Sequence, residues 1–174
     1  MKIFITYTFC TIFFMFILIS NGHPLYKLTI IDEIRLSDKD IPQGFILGQI
    51  PGYAKKTFKQ NPWLLDKGAI KTLTQEIYPG GDFHTISSIH MTIFANEQKP
   101  YNDDIVCYII VFNDLKNTKT EIQKINKFVG YNSDRALVVN KDNIAVFLHV
   151  DDVTNFHYIN DLASSIKERL NTSK

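Results

Sequence analysis

The chain has 174 residues, with 19 Lys and Arg against 18 Asp and Glu and a formal net charge of +1. Charges of both signs are interspersed, which excludes the one-sided basic excess of a nucleic-acid-binding face. The length suits one domain with a sizeable core, and two cysteines are too few for a disulfide framework.

The N-terminus sets the expected compartment. Met1-Lys2 precedes an uncharged apolar run from Ile3 to Ile19, and Ser20-Asn21-Gly22 follows. A lysine, an apolar stretch and small residues at the −3 and −1 positions describe a secretory signal peptide over residues 1–22, cut near Gly22. The sequence therefore predicts an exported protein, periplasmic or extracellular. An uncleaved anchor formed by residues 3–19 is the alternative, since a span needs about 20 apolar residues. Only in that case is a membrane a partner. Cys10 lies within the apolar run and lacks the small neighbours of a lipoprotein site. Cleavage takes Lys2 and no acid, so residues 23–174 carry 18 bases and 18 acids and are expected to form a single globular domain. Cys107 is then the only cysteine, and its Ile and Val neighbours make it a packed thiol rather than a nucleophile.

Along the mature chain, residues 26–36 are rich in Ile and Leu and read as a first strand. Turn-forming residues 37–44 follow, and Phe45-Ile46-Leu47 is a brief or edge strand before Gly48 and Pro51-Gly52. Residues 51–60 read as a solvated connection. Asn61-Pro62 is a helix start, with Trp63, Ile70, Leu73 and Ile77 on one face. Pro79-Gly80-Gly81 stops that helix; with no phosphate-loop pattern around it, the Gly pair is a cap and turn. Residues 83–95 alternate with period two, and Ser87-Ser88 marks a bulge or thin place.

Residues 104–112 are an unbroken apolar run of β-branched and aromatic residues. That is the signature of a strand covered on both faces. A second helix is predicted over 118–129, and a hairpin over 134–150 turning at Lys141-Asp142. The last helix carries Phe156, Ile159, Leu162, Ala163, Ile166 and Leu170 at helical spacing, opened by Asp151-Asp152. The fold class is thus α+β: an antiparallel sheet of about five to six strands with two to three helices packed on it, ordered β-β-α-β-β-α-β-β-α.

Chemistry is sparse. His84 and His90 lie six strand residues apart, roughly 20 Å and too far for one metal. His149, Asp151 and Asp152 at a strand end form the one candidate for a metal-dependent or acid–base hydrolase. The opposing reading caps the last helix with the two acids and leaves His149 on a sheet face. No metal-ligand, G-x-S-x-G or Cys–His pattern occurs, so no catalytic residue and no cofactor is assigned. Tyr53, Phe58, Tyr78 and Tyr101, in or beside loops, are the candidate contacts for a protein or small-molecule partner. One N-x-[ST] sequon begins at Asn171. The expected function is that of an exported, non-catalytic binding domain.

Overall fold

The computed structural model describes residues 30–48, 63–76, 78, 80–99 and 103–173. The chain divides into two units, Met1–Glu33 and Ile34–Lys174. The expected signal segment and the expected connection at 51–60 lie outside the described residues. Among the described residues, no helix is long and apolar enough to cross a membrane.

The fold is α+β. Six strands form one antiparallel sheet: β1 (Phe45–Leu47), β2 (Trp63–Leu64), β3 (Ile86–Asn96), β4 (Ile105–Phe112), β5 (Ala136–Lys141) and β6 (Ile144–Val150). The order across the sheet is β1-β3-β4-β6-β5, and β2 pairs with β3 beside β1. Among the described residues the helices α1 (Lys67–Glu76), α2 (Leu115–Tyr131) and α3 (Phe156–Thr172) interleave with them.

The apolar run at 104–112 becomes β4, an inner strand between β3 and β6. Six of its residues are no more than 2% exposed. Ile110 and Phe112 face a cluster with Ile70 and Leu73 of α1 and Ile125 of α2. Alternation turns Cys107, Ile109 and Val111 to the opposite face. There α3 packs against β5 and β6 through Ile159, Leu162, Ile166 and Leu170. Val106 and Tyr108 are only half-buried, so cover on the α1/α2 face thins toward the start of β4. Burial, aided by the Asp40 charge, pushes the Cys107 thiol up to about 12, which removes it as a nucleophile at neutral pH.

Local chemistry sets the boundaries. Asp114 caps α2 by accepting the Asn117 N–H at 2.8 Å, and the β3 register shifts between Ile86 and Ser88, a bulge at the paired serines. The β5–β6 hairpin turns on Asp142-Asn143, with Asp142 in the left-handed region at φ 51.

Four expectations need correction. Residues 30–34 are helical, not a strand; Ile30, Ile31 and Ile34 are buried while Asp32 and Glu33 are exposed, a helical spacing. The first helix begins at Lys67 rather than behind Asn61-Pro62. Asp66 is its effective cap, accepting the Ala69 N–H at 2.9 Å, and Trp63 belongs to β2. Phe83–Thr85 is a 3-10 turn capped by Asp82, so β3 starts only at Ile86. Asp152 caps a further 3-10 turn, Val153–Asn155, and α3 proper starts at Phe156.

Candidate functional site

His149 is the next-to-last residue of β6, and Asp151 follows directly on the strand's end. His149 Nδ1 stands 3.8 Å from Asp151 Oδ1. The other Asp151 oxygen accepts the backbone N–H of Asp104 at 3.1 Å, while Asp151 N–H donates back to the Asp104 carbonyl. Asp152 turns away into its cap, accepting the Thr154 N–H at 2.9 Å and hydroxyl at 2.8 Å. Those bonds hold its carboxyl below the ordinary value. Close by, Asp103 is buried and accepts amide hydrogens from Asn96 and Asn155. The carboxylates of this corner are thus taken up in tying β3, β4 and β6 to the turn before α3. In the sequence, Asp103 reads only as half of the adjacent acid pair Asp103-Asp104 at a turn, not as an acid–base site. Among the described residues, no group of three or more His, Cys, Asp or Glu is placed to hold a metal ion.

Burial lowers the His149 pKa and the Arg135 charge lowers it further, with Asp151 opposing them. A histidine more easily protonated unfolded than folded contributes stability that is complete above the unfolded value of 6.5. That contribution declines as pH falls toward the depressed folded value. Urea denaturation at about pH 7.5 and about pH 5 should therefore show a larger acid loss in the parent chain than in His149→Gln. Equal losses would refute the assignment.

Of the four aromatic candidates, Tyr53, Phe58 and Tyr101 lie outside the described residues. Tyr78 does not serve as a surface contact: it is 2% exposed and belongs to the α1/α2 core cluster. Its position depends on glycine, because a Cβ at Gly81 would collide with the Tyr78 ring, and Gly80 holds φ 85 to complete the turn. The buried Glu121 ties this turn to α2 by accepting the Asp82 N–H at 3.0 Å and the Lys124 ammonium at 2.6 Å. Among the described residues the Tyr78 hydroxyl has no hydrogen-bond partner. Burial and the charges of Glu121 and Asp82 raise its pKa far above the usual value. An unsatisfied buried hydroxyl is costly, so Tyr78→Phe should stabilise the protein by on the order of 1 kcal/mol. Thermal unfolding reads this directly, and a marked loss would mean that the hydroxyl has a partner.

A groove lies elsewhere, along the β5 edge of the sheet. It runs between β5 and the last turns of α3, with a volume of about 270 Å³, and Asn140, Lys141, Lys167, Leu170 and Asn171 are among its lining residues. Asn171 is the sequon asparagine. The Arg135 carbonyl accepts the Val150 N–H at 3.0 Å. By antiparallel alternation, Leu137, Val139 and Lys141 then bond to β6, whereas Val138 and Asn140 turn their backbone N–H and C=O outward. Among the described residues no strand pairs with that side of β5. Lys141 bends toward α3, donating to the Leu170 carbonyl at 2.5 Å and to the Ser173 carbonyl at 3.4 Å, and so neutralises the negative end of the helix. Lys167 is exposed and forms no hydrogen bond or ion pair among the described residues. No family model, curated protein or solved structure matches the chain.

Proposed function

We propose that this chain is an exported, non-catalytic α+β domain that binds a protein partner outside the cytoplasm. The observation that carries the reading is the outer edge of β5, unpaired among the described residues, where outward backbone groups adjoin a groove. Exposed strand edges pair readily with another chain unless blocked. A groove running beside outward backbone groups suits an extended chain, whose own amides can bond them, better than a small molecule. Export is supported by Lys2, the apolar Ile3 to Ile19 stretch, and Ser20 and Gly22 before the proposed cut. The hydrolase alternative through His149, Asp151 and Asp152 draws no support from geometry, because Asp152 is committed to its cap.

Two measurements test the proposal. Cell fractionation with mass spectrometry of the mature N-terminus should find the protein outside the cytoplasm and beginning at His23. A chain retaining Met1 in the cytoplasm overturns the export half. A photo-crosslinking amino acid at Asn140 should capture one protein species in the native compartment, and the same probe at the exposed Asp161 of α3 should not. Equal capture from both positions overturns the binding half.

A further inference from the structure

We infer that the segment taken by the β5 edge is an extended, acid-bearing stretch of the partner, added to the sheet as a seventh strand and anchored by Lys167. The inference rests on the binding proposal above and specifies the chemistry of its ligand.

Three features of the edge select this occupant. The outward N–H and C=O groups of Val138 and Asn140 supply a ladder that only another extended backbone satisfies fully. The residues lining the groove include two lysines and no carboxylate. Lys141 is already bonded to the α3 carbonyls, which leaves the Lys167 ammonium facing the groove's incoming chain. An acidic side chain complements that charge, and a basic one opposes it.

The same charges argue against a second copy of this chain. Antiparallel self-pairing centred on Val138 would set Lys141 of each chain opposite Arg135 of the other. That opposition is mild, because Arg135 lies 3.4 Å from Asp134 and Lys141 is bonded to the α3 carbonyls, but the self-paired stretch 135–141 carries no acid to meet Lys167. Strand β5 is only six residues long and ends at Lys141, a shortness that limits pairing with its own kind, while its lack of acids leaves the edge suited to an acidic strand.

The test titrates the isotope-labelled protein with a blocked seven-residue peptide of alternating Val and Thr bearing one central Glu. Two controls accompany it: the same peptide with Lys in place of Glu, and a version N-methylated on alternate amides. The Glu peptide should shift the Val138 and Asn140 amides and slow their hydrogen exchange. N-methylation should abolish the effect. Lys167→Gln should weaken binding roughly threefold to fivefold, as loss of one exposed ion pair does. Lys167→Glu should reverse the preference in favour of the Lys peptide. Lys167→Gln should melt with the parent, since Lys167 makes no described bond, whereas Lys167→Glu sets an acid near the C-terminal end of α3 and should melt slightly lower.

Absence of β5 shifts with every peptide overturns the inference, as does equal binding of the Glu and Lys peptides. Sedimentation showing dimerisation that Asn140→Pro abolishes also overturns it, by making a second copy the occupant. Capture of a partner at Asn140 through a helical or basic segment overturns this inference alone. Failure of any specific capture at Asn140 overturns the binding proposal beneath it.

Discussion

Replacing Arg169 with Met is expected to destabilise the protein by on the order of 3 kcal/mol at neutral pH. Asp40 is 7% exposed at its side chain and is paired with Arg169 of α3, which also donates to the Arg35 carbonyl at 3.1 Å. The Asp40 carboxylate further accepts the Ser37 N–H at 2.8 Å and hydroxyl at 3.0 Å. Burial alone would raise the Asp40 pKa, but the bonds from Arg169 and Ser37 outweigh it and hold the carboxyl below 3.8. Methionine keeps much of the Arg stem's packing and removes the charge, so the loss reports a stranded carboxylate rather than a cavity. The estimate takes the lower end of the range for a broken buried pair because Arg169 retains 29% exposure.

The pH dependence separates this from simple packing loss. A carboxyl with a depressed folded pKa contributes stability that is present above its unfolded value and lost as pH falls through the folded one. The gap between parent and Arg169→Met should therefore be widest near neutrality and close below about pH 4. Adding Asp40→Asn to Arg169→Met should recover part of the loss at neutral pH, because no charge is then left unpaired. Denaturant titrations across pH measure all three chains. A gap that is the same at both ends of the range would show that Arg169 acts by packing alone.

Much of the scaffold was legible because core burial imposes its period on the sequence. Strand β4 announced itself by an apolar run that only a doubly covered strand tolerates, and α3 by Ile159, Leu162, Ile166 and Leu170. The segment at 30–34 was misread because Ile favours strands by its branching, while a single helical turn offers only three positions to reveal its spacing. At α1, the Asn61-Pro62 signal competed with Asp66, and sequence alone does not rank two valid caps. Strand β2 pairs over two residues, below the length at which alternation has meaning.

The site was less legible than the scaffold. His149, Asp151 and Asp152 were grouped because a strand end leading into a helix can gather ligands; His149 and Asp151 do lie within 3.8 Å, while Asp152 turns into its own cap. The Asp103 latch was invisible, because it joins Asn96 and Asn155 across 52 residues of chain on one side. Tyr78 looked like a loop aromatic, and only the close approach allowed by Gly81 explains why it is buried. The β5 groove could not be read at all. Its existence depends on which strand ends the sheet, and that follows from β6, rather than β5, pairing with β4.

Ile109→Ala and Ile110→Ala should each cost about 3 kcal/mol, within the 2–5 kcal/mol that large-to-small core changes typically show. These neighbours are 1% and 2% exposed and point to opposite faces of β4. Ile110 lies beside Ile89 and Ala145 in the layer under α1 and α2, whereas Ile109 lies between His90 and Val146 on the opposite face, the one where α3 packs against β5 and β6. Each truncation therefore opens a cavity in a different layer, with no shared wall of side chains. Because two such losses approach the total stability of an ordinary domain, independence is better tested with the milder Ile→Val pair, at about 1 kcal/mol each. If β4 truly separates two layers, the double Val variant should show the sum of the single effects within about 0.5 kcal/mol in urea titrations. A strong coupling would mean that the strand shifts as a body and that both layers relax together. A cost near zero at Ile109 alone would mean that α3 does not close its face of the sheet.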